Sequence, residues 1–331
     1  MKKIKQYAKK FNFIVDNYIL FKSFRMIKEE KPKEITLYVT NRCNSRCQNC
    51  NIWKLQPKID LKVDIIKKLL SDKIVTRSTT FVFQGGEFIL HPDYDKILRL
   101  FQKRKFTLLS NGILSNKIIE ICKTFRVTNL ILSLDGSPET NKKIRGIDSF
   151  GNILKIVDTL KKDNIAIGIT YTVCPENNNI EDFSFVKNFC QQYGLSLNVV
   201  IYGTPFYFQV EKKTFLISNQ IIEAVENKYQ KKYLMIFNNY FKYKIPCLSI
   251  RKQTTIWPDG SVTLCQQKNI ILGNLYKTNL SEIWNSPQSK RLRREYSKCN
   301  ECWLACHRQF DICFFENESV FTSLFKKMIK Y

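Results

Sequence analysis

Three cysteines near the start of the chain have a spacing that could bind one metal centre. Cys43, Cys47 and Cys50 form the pattern C-x3-C-x2-C directly after an apolar, strand-like run. Thiolates this close on one loop can supply three of the four ligands of a [4Fe–4S] cluster and leave one iron open. A structural zinc site needs four ligands, and no fourth Cys or His lies near Cys50 in the sequence. The pattern therefore favours a reactive iron–sulfur cluster over zinc or three unrelated buried cysteines.

A second group of cysteines lies in the C-terminal part of the chain. Cys247 and Cys265 flank a predicted β-hairpin whose turn is Pro258–Gly260. Four more cysteines follow in the order Cys299, Cys302, Cys306 and Cys313. Two cysteines around a hairpin and a C-x2-C pair indicate a metal site, and on spacing alone four thiolates also suit zinc. We expect His307 to lie at the surface or beside the ligands rather than bind the metal.

The composition is that of a globular protein. The chain has 331 residues and is 44% hydrophobic. It contains no run of ~20 apolar residues that could span a membrane and no secretory signal pattern at its N-terminus, so we expect a cytoplasmic protein. In a reducing compartment its twelve cysteines favour metal binding over disulfides. The three cysteines outside the two groups lie in apolar patterns and are predicted core residues: Cys122, Cys174 and Cys190.

The chain is strongly basic, with a formal net charge of +25. Such a charge is compatible with a nucleic-acid partner, an anionic membrane surface or an acidic peptide. Lysine is spread evenly through a chain that is also rich in Ile and Asn. The even spread favours a general compositional bias over any of these partners.

The cysteines must be positioned by the elements around them, and residues 34–205 alternate between predicted strands and helices. The predicted strands are Ile35–Thr40, Thr79–Gln84, Phe106–Ser110, Asn129–Leu134, Ile165–Val173 and Ser196–Ile201. The predicted helices are Val63–Leu70, Tyr94–Lys103, Asn116–Phe125, Phe150–Lys162 and Ile180–Tyr193. Apolar strands that alternate with amphipathic helices indicate a parallel sheet with crossover helices. We therefore predict an α/β fold, a partial (β/α)6 TIM-like barrel.

Unusual residues follow the predicted strands. The first cysteine loop follows strand one, Gly85-Gly86-Glu87 follows strand two, Ser110–Gly112 ends strand three and Ser133–Gly136 ends strand four. The chemistry of such barrels lies at the carboxyl ends of the strands. Two glycines let a backbone approach a ligand closely, and a glutamate beside them can accept hydrogen bonds from an ammonium group.

These features resemble the radical S-adenosylmethionine (radical SAM) family over about residues 34–205. The resemblance implies that Cys43, Cys47 and Cys50 ligate a [4Fe–4S] cluster whose open iron binds S-adenosylmethionine. One electron from the cluster would then yield a 5′-deoxyadenosyl radical that abstracts a hydrogen atom from a substrate. The resemblance also implies that a set of residues contacts S-adenosylmethionine: Gly85, Gly86, Glu87, Asn111, Ser133 and Arg145. Residues Thr170–Thr172 are further candidates for the same pocket. The family usually has an aromatic residue where this chain has Asn49, and Trp53 could take its place.

The C-terminal cysteines are similar to the SPASM/twitch extension of radical SAM enzymes, over about residues 247–313. That resemblance implies auxiliary iron–sulfur clusters, but only six of the seven cysteines of the full pattern are present. We expect one auxiliary [4Fe–4S] cluster. The alternatives are that Cys306 and Cys313 complete a second, incompletely ligated cluster or that they replace one of the ligands of the first. The ligands expected for the first are Cys247, Cys265, Cys299 and Cys302.

The expected organisation has five parts. An N-terminal amphipathic helix (1–33) precedes the barrel (34–205), a helical linker (206–246), the cysteine-rich extension (247–315) and a C-terminal tail (316–331). The resemblances imply an enzyme that modifies a peptide or another small molecule with electrons from an external flavodoxin- or ferredoxin-type donor. Alternatives are modification of a nucleic acid, carbohydrate or lipid-linked compound, or a non-catalytic iron–sulfur or zinc protein that binds nucleic acid.

Overall fold

One sheet of nine strands runs through the described part of the chain. The structure is a computed structural model that describes residues 31–125, 127–163, 165–211, 213–239 and 247–316. The side chains of residues 298, 306, 310 and 313–316 are not described. The predicted N-terminal helix and C-terminal tail therefore fall almost wholly outside the described residues.

Six parallel strands form the larger part of the sheet. They are β1 (Glu34–Tyr38), β2 (Thr80–Gln84), β3 (Phe106–Ser110), β4 (Asn129–Ser133), β5 (Ala166–Val173) and β6 (Ser196–Ile201). Each pairs in parallel with the strand before it in the sequence. This order needs a crossover connection after every strand, as the alternating pattern predicts. The predicted α/β partial barrel is confirmed.

Helices connect these strands. They are α1 (Val63–Leu70), α2 (Tyr94–Phe101), α3 (Ser115–Thr124), α4 (Pro138–Arg145), α5 (Phe150–Leu160) and α6 (Ile180–Tyr193). Their apolar faces pack on the sheet, so that Ile66, Ile97, Ile118 and Ile153 are fully buried. The helix α4 is not among the sequence predictions, because its residues PETNKKIR are almost entirely polar. Ser137 caps its first turn by accepting a hydrogen bond from Thr140 N.

The C-terminal hairpin continues the same sheet. Strands β7 (Gln253–Ile256) and β8 (Ser261–Thr263) pair antiparallel, which confirms the predicted hairpin, and β9 (Ile271–Asn274) follows. The strand β7 also pairs in parallel with β1. The first strand of the barrel, which leads into Cys43, is thus hydrogen-bonded to the extension that carries the second group of cysteines.

The rest of the C-terminal part is helical. The helices are α7 (Asn219–Ala224), α8 (Lys228–Asn238), α9 (Ser249–Lys252), α10 (Leu280–Asn285), α11 (Pro287–Glu295) and α12 (Ala305–Glu316). Among its described residues, the linker predicted to be helical is α-helical in α7 and α8, with one 3-10 turn at Phe206–Phe208, and residues 209–218 form no helix. Pro205 precedes this irregular stretch, and Gln209 has a left-handed φ of 48°. Within the described residues, no helix is long and apolar enough to cross a membrane.

Candidate active site

A cavity of about 390 Å³ opens at the carboxyl ends of the parallel strands. It brings together the first cysteine loop and most of the sequence-predicted cofactor residues: Cys43, Cys47, Cys50, Gly85, Gly86, Asn111, Ser133 and Arg145. Its wall is completed by residues that lie after the barrel, among them Gln266, Leu304, Ala305 and Gln309. The barrel and the cysteine-rich extension therefore enclose one common space.

The glycine pair after β2 holds the start of the cysteine loop. Gly86 N donates to Thr40 O at 3.0 Å, and Glu87 N donates to Arg42 O at 2.7 Å. A Cβ atom on Gly86 would lie only 2.0 Å from Arg42 O. Gly85 has a φ of 137°, a backbone conformation that residues other than glycine rarely adopt. The two glycines are therefore required for backbone contact between this turn and the loop.

The end of α4 holds the loop from the other side. Ser45 Oγ donates to Arg145 O at 2.8 Å, and Arg46 N donates to the same carbonyl at 3.1 Å. Gln48 N donates to Ile144 O at 2.9 Å. The last carbonyls of a helix have no partner within the helix, so these bonds satisfy α4 while they fix the cysteines.

Asn111 adds a third attachment of the loop. Its amide Nδ2 donates to Asn44 Oδ1 at 2.8 Å, and its backbone N donates to Glu87 Oε2 at 2.9 Å. Asn111 therefore connects the end of β3 to both the cysteine loop and the glycine–glutamate turn. It lines the cavity as well as bracing it.

The carboxylate of Glu87 lies behind the cavity wall. Glu87 is 1% exposed, and its carboxylate accepts hydrogen bonds from Ser110 Oγ and Asn111 N, both at 2.9 Å. Burial raises the pKa of Glu87 to about 7, and these two bonds oppose the rise. Glu87 is absent from the described residues that line the cavity. Its carboxylate thus braces the turn, while Gly85 and Gly86 face the cavity.

Arg145 and Asp135 form an ion pair in the cavity. Arg145 Nη2 lies 2.6 Å from Asp135 Oδ2, and Arg145 Nη1 lies 4.0 Å from Cys47 Sγ. Burial alone would lower the pKa of Arg145, but Asp135 and Cys47 outweigh burial and raise it. Arg145 Nε is buried and has no hydrogen-bond partner among the described residues. Asp135 was expected only as part of the Ser133–Gly136 run, and its position after a strand is the signal that could have identified it.

Asn49, which stands where the resembled family usually has an aromatic residue, and Trp53 both line the cavity. The amide of Asn49 lies beside the Cys174 thiol but makes no hydrogen bond of good geometry. Trp53, expected to take the missing aromatic's place, lines the same cavity. Its ring lies beneath the guanidinium of Arg46, 5.7 Å from the ring centre, and the Lys54 ammonium, 5.0 Å from it.

The thiols of the first loop are available as ligands. None of the cysteines whose side chains are described forms a disulfide, and burial raises the pKa of Cys43 and of Cys50 to about 12. Such thiols are held neutral unless a positive centre replaces their protons, as bound iron does. Within the described residues, no group of three or more Cys, His, Asp or Glu side chains surrounds a point closely enough for a single metal ion. The three cysteines instead face open space, and their donor chemistry fits a thiolate-bound cluster.

The second group of cysteines shares a smaller cavity of about 20 Å³. The described residues that line it include Cys247, Cys265, Cys299, Cys302 and His307. Burial raises the pKa of Cys302 to about 11, and Arg308 opposes this rise. His307 is 3% exposed, so of the two expected positions it lies beside the cysteines and not at the surface, and burial lowers its pKa to about 4.

The last two cysteines lie on a helix. Cys306 and Cys313, both predicted to lie in a metal-binding segment, lie within α12. Their side chains lie outside the described part of the structure, so their roles stay predictions.

Family models match both halves of this arrangement. Residues 37–190 match the model of the radical SAM superfamily, and residues 247–306 match SPASM, an iron–sulfur cluster-binding domain. Together the two matches cover more than half of the chain. The chain belongs to the radical SAM superfamily and carries a C-terminal SPASM domain.

Curated relatives are distant. GTP 3′,8-cyclase of Sulfurovum sp. (strain NBC37-1) is 24% identical over an alignment of 204 positions, which covers 58% of this chain and 61% of that protein. The radical SAM cyclopropyl synthase TigE of Paramaledivibacter caminithermalis is 22% identical over an alignment of 308 positions, which covers 74% of this chain and 60% of that protein. The chain thus spans less than two thirds of the length of these relatives.

Solved structures share the fold. SuiB of Streptococcus suis bound to S-adenosylmethionine has a TM-score of 0.60 at 15% identity, and the match covers 86% of this chain and 73% of SuiB. SuiB bound to the precursor peptide SuiA has a TM-score of 0.59 at 15% identity, with 94% and 76% covered. Membership of the superfamily implies a [4Fe–4S] cluster with S-adenosylmethionine, and the SPASM domain implies auxiliary iron–sulfur.

Proposed function

We propose that the protein is a radical SAM enzyme that modifies a peptide. The observation that carries the proposal is the common cavity, in which the first cysteine loop and residues of the C-terminal part line one space of about 390 Å³. A substrate in this space would contact both modules. SuiB, which shares the fold of this chain, has a solved structure in which it is bound to the precursor peptide SuiA. This complex supports a peptide as the substrate class.

Cys43, Cys47 and Cys50 are the proposed ligands of the first cluster. When bound, the [4Fe–4S] cluster and S-adenosylmethionine supply a carbon radical that removes a hydrogen atom from a substrate. The chain's contribution is to hold the three thiols on a loop fixed by Gly86 and by the carbonyls of Ile144 and Arg145. No fourth cysteine lines this cavity in the described part of the chain, which leaves one iron for S-adenosylmethionine.

Backbone groups and Arg145 are the proposed holders of S-adenosylmethionine. Gly85 and Gly86 present backbone at the cavity wall, with Asn111 and Ser133 beside them. Arg145 Nε is a buried donor without a partner among the described residues, so it can bind the methionyl carboxylate while the other guanidinium nitrogens stay on Asp135 and Cys47. We propose that Glu87 acts through the bonds that position Asn111.

Four cysteines are the proposed ligands of one auxiliary [4Fe–4S] cluster: Cys247, Cys265, Cys299 and Cys302. They line one cavity although they come from three segments of the sequence. Cys306 and Cys313 remain the proposed ligands of the alternative second cluster.

The charge of the main cavity suits the proposed reaction. Among the described residues that line it, the only Asp, Glu, Lys, Arg or His side chains are Asp135 and Arg145, which pair with each other. The cavity is also lined by the neutral amides of Asn198 on β6 and of Gln266 and Gln309 in the C-terminal part. Abstraction of a hydrogen atom needs no general acid or base, and neutral amides can hydrogen-bond a peptide backbone. The electron would come from an external flavodoxin- or ferredoxin-type donor.

Co-expression with short peptides encoded beside its gene tests the peptide proposal. We expect a mass change in one such peptide that depends on Cys43, Cys47 and Cys50, measured by mass spectrometry. A cysteine-dependent change in a nucleic acid, carbohydrate or lipid-linked compound, with every peptide unchanged, would contradict the substrate class while retaining radical SAM chemistry.

A further inference from the structure

A buried ion pair lies beside the second group of cysteines. Arg308 and Asp311 are both on α12, both side chains are fully buried, and Arg308 Nη1 lies 3.2 Å from Asp311 Oδ2. Two charges removed from water are costly unless further hydrogen bonds compensate each of them. The partners of this pair therefore indicate what it stabilises.

Arg308 binds the backbone of two proposed cluster ligands. Its Nε donates to Cys302 O at 3.0 Å, and its Nη2 donates to Cys299 O at 3.1 Å. The donors of a guanidinium lie in a rigid, planar fork. One side chain thus fixes the distance and orientation between the two halves of the C-x2-C pair.

Asp311 extends this arrangement to a third ligand. Its Oδ1 accepts a hydrogen bond from Leu248 N at 3.0 Å, and Leu248 directly follows Cys247. The ion pair therefore joins two segments of the second cysteine group that are distant in sequence. The fourth cysteine, Cys265, is held separately, because Thr263 Oγ1 donates to its carbonyl at 3.1 Å.

Arg308 also lines the same small cavity as the four cysteines. A cluster held by four thiolates is an anion, and its reduction adds negative charge. A permanent buried cation beside it favours the reduced form, since net charge and hydrogen bonding set the potentials of iron–sulfur clusters.

We propose that Arg308 is the positioning residue of the auxiliary iron–sulfur site: it fixes Cys299 and Cys302 directly and Cys247 through Asp311, and its charge raises the reduction potential of the cluster. This inference rests on the ligands assigned under the proposed function. The contrasting role is an ion pair that stabilises α12 and has no influence on the cluster.

Two substitutions of Arg308 separate these roles when they are made in the C43A/C47A/C50A variant, in which the remaining iron belongs to the auxiliary site. Arg308→Gln removes the charge and most of the fork, so we expect a lower midpoint potential and a cluster loss to chelator at least about 10-fold faster. Arg308→Lys keeps the charge but loses the fork, so we expect it to restore the potential and not the resistance to chelator. Redox titration followed by electron paramagnetic resonance and iron release measure the two effects.

Arg293→Gln is the matched control. Arg293 is another buried arginine of the same domain, and it donates to the Trp284 carbonyl at 2.8 Å. We expect it to leave the midpoint potential unchanged. If Arg308→Gln keeps the potential and chelator resistance of the C43A/C47A/C50A variant, the inference is overturned.

Two further outcomes are also decisive. If Arg308→Gln gives no cooperative thermal transition and is therefore not folded, the test rests on Arg308→Lys alone. Unchanged iron release in Arg308→Lys then overturns the inference. If the C43A/C47A/C50A variant itself holds no iron, the auxiliary ligand assignment fails first, and the inference fails with it.

Discussion

Arg145 and Asp135 pair across 2.6 Å within the cavity that also holds the cysteine loop. Asp135 is 1% exposed and also accepts a hydrogen bond from Thr172 N at 2.8 Å. The pair connects the ends of β4 and β5 to the end of α4, whose last carbonyls bind the loop. The charge balance of the cavity therefore depends on this contact, which also braces one of the elements that hold the cysteine loop.

Asp135→Asn tests this contact, because it leaves the Arg145 charge buried without its partner. We expect the free energy of unfolding to fall by about 3 kcal/mol, and the affinity for S-adenosylmethionine to fall with it. Anaerobic denaturant unfolding and equilibrium binding measure the two effects. The exposed pair of Lys161 and Asp158 supplies the control, since Asp158→Asn should change stability by less than about 1 kcal/mol. Equal effects of the two variants would contradict the role of the buried pair.

Gly86→Ala tests the approach of the glycine turn to the cysteine loop. Its Cβ would lie 2.0 Å from Arg42 O, so either the turn or the loop must move. We expect a folded protein that loses most of the iron of the first site and keeps the auxiliary iron, measured by iron analysis. Gly151→Ala is the control, because a Cβ there meets nothing within 4 Å and alanine is the better helix former. Full iron in Gly86→Ala would refute the structural role.

The buried carboxylate of Glu87 predicts a dependence of stability on pH. Its pKa is raised to about 7 by burial, so the folded protein holds this proton more tightly than the unfolded chain does. The stabilisation that the protonated Glu87 gives to the folded state is complete below the pKa of Glu87 in the unfolded chain. It is lost as the pH rises through about 7. Between pH 6 and 7 the free energy of unfolding of the wild type should fall by about 1 kcal/mol relative to that of Glu87→Gln. Above about pH 8 the difference between the two free energies should be constant. Parallel unfolding curves across this range would contradict the raised pKa.

The positions of the strands and of the first site were accessible from sequence because their signals are local. Several elements have the bounds that their apolar patterns predict. They are the strands Phe106–Ser110 and Ser196–Ile201 and the helices Val63–Leu70 and Ile180–Tyr193. The placement of the cysteine loop beside Gly85 and Gly86 followed from a parallel sheet, in which the strand ends meet at one edge.

Features that depend on tertiary contacts were not accessible. The pairing of Arg145 with Asp135 depends on α4, a polar helix without an apolar periodicity. The buried position of Glu87 depends on Ser110 and Asn111 in another unit. The helix α12 was not predicted, because its cysteines indicated a metal-binding segment and not an element of secondary structure. The joining of β7 to β1 in one sheet is a long-range pairing that no local pattern encodes.

Cys43, Cys47 and Cys50 are the proposed ligands of the cluster that cleaves S-adenosylmethionine. The most direct test is the yield of 5′-deoxyadenosine from anaerobically reconstituted protein with dithionite and S-adenosylmethionine. We expect product from the wild type and from Cys190→Ser, which changes a core cysteine that is 3% exposed. We expect none from the C43A/C47A/C50A variant, which should still hold its auxiliary iron. Product from that variant, or no product from a wild type with its first site loaded with iron, would contradict the account.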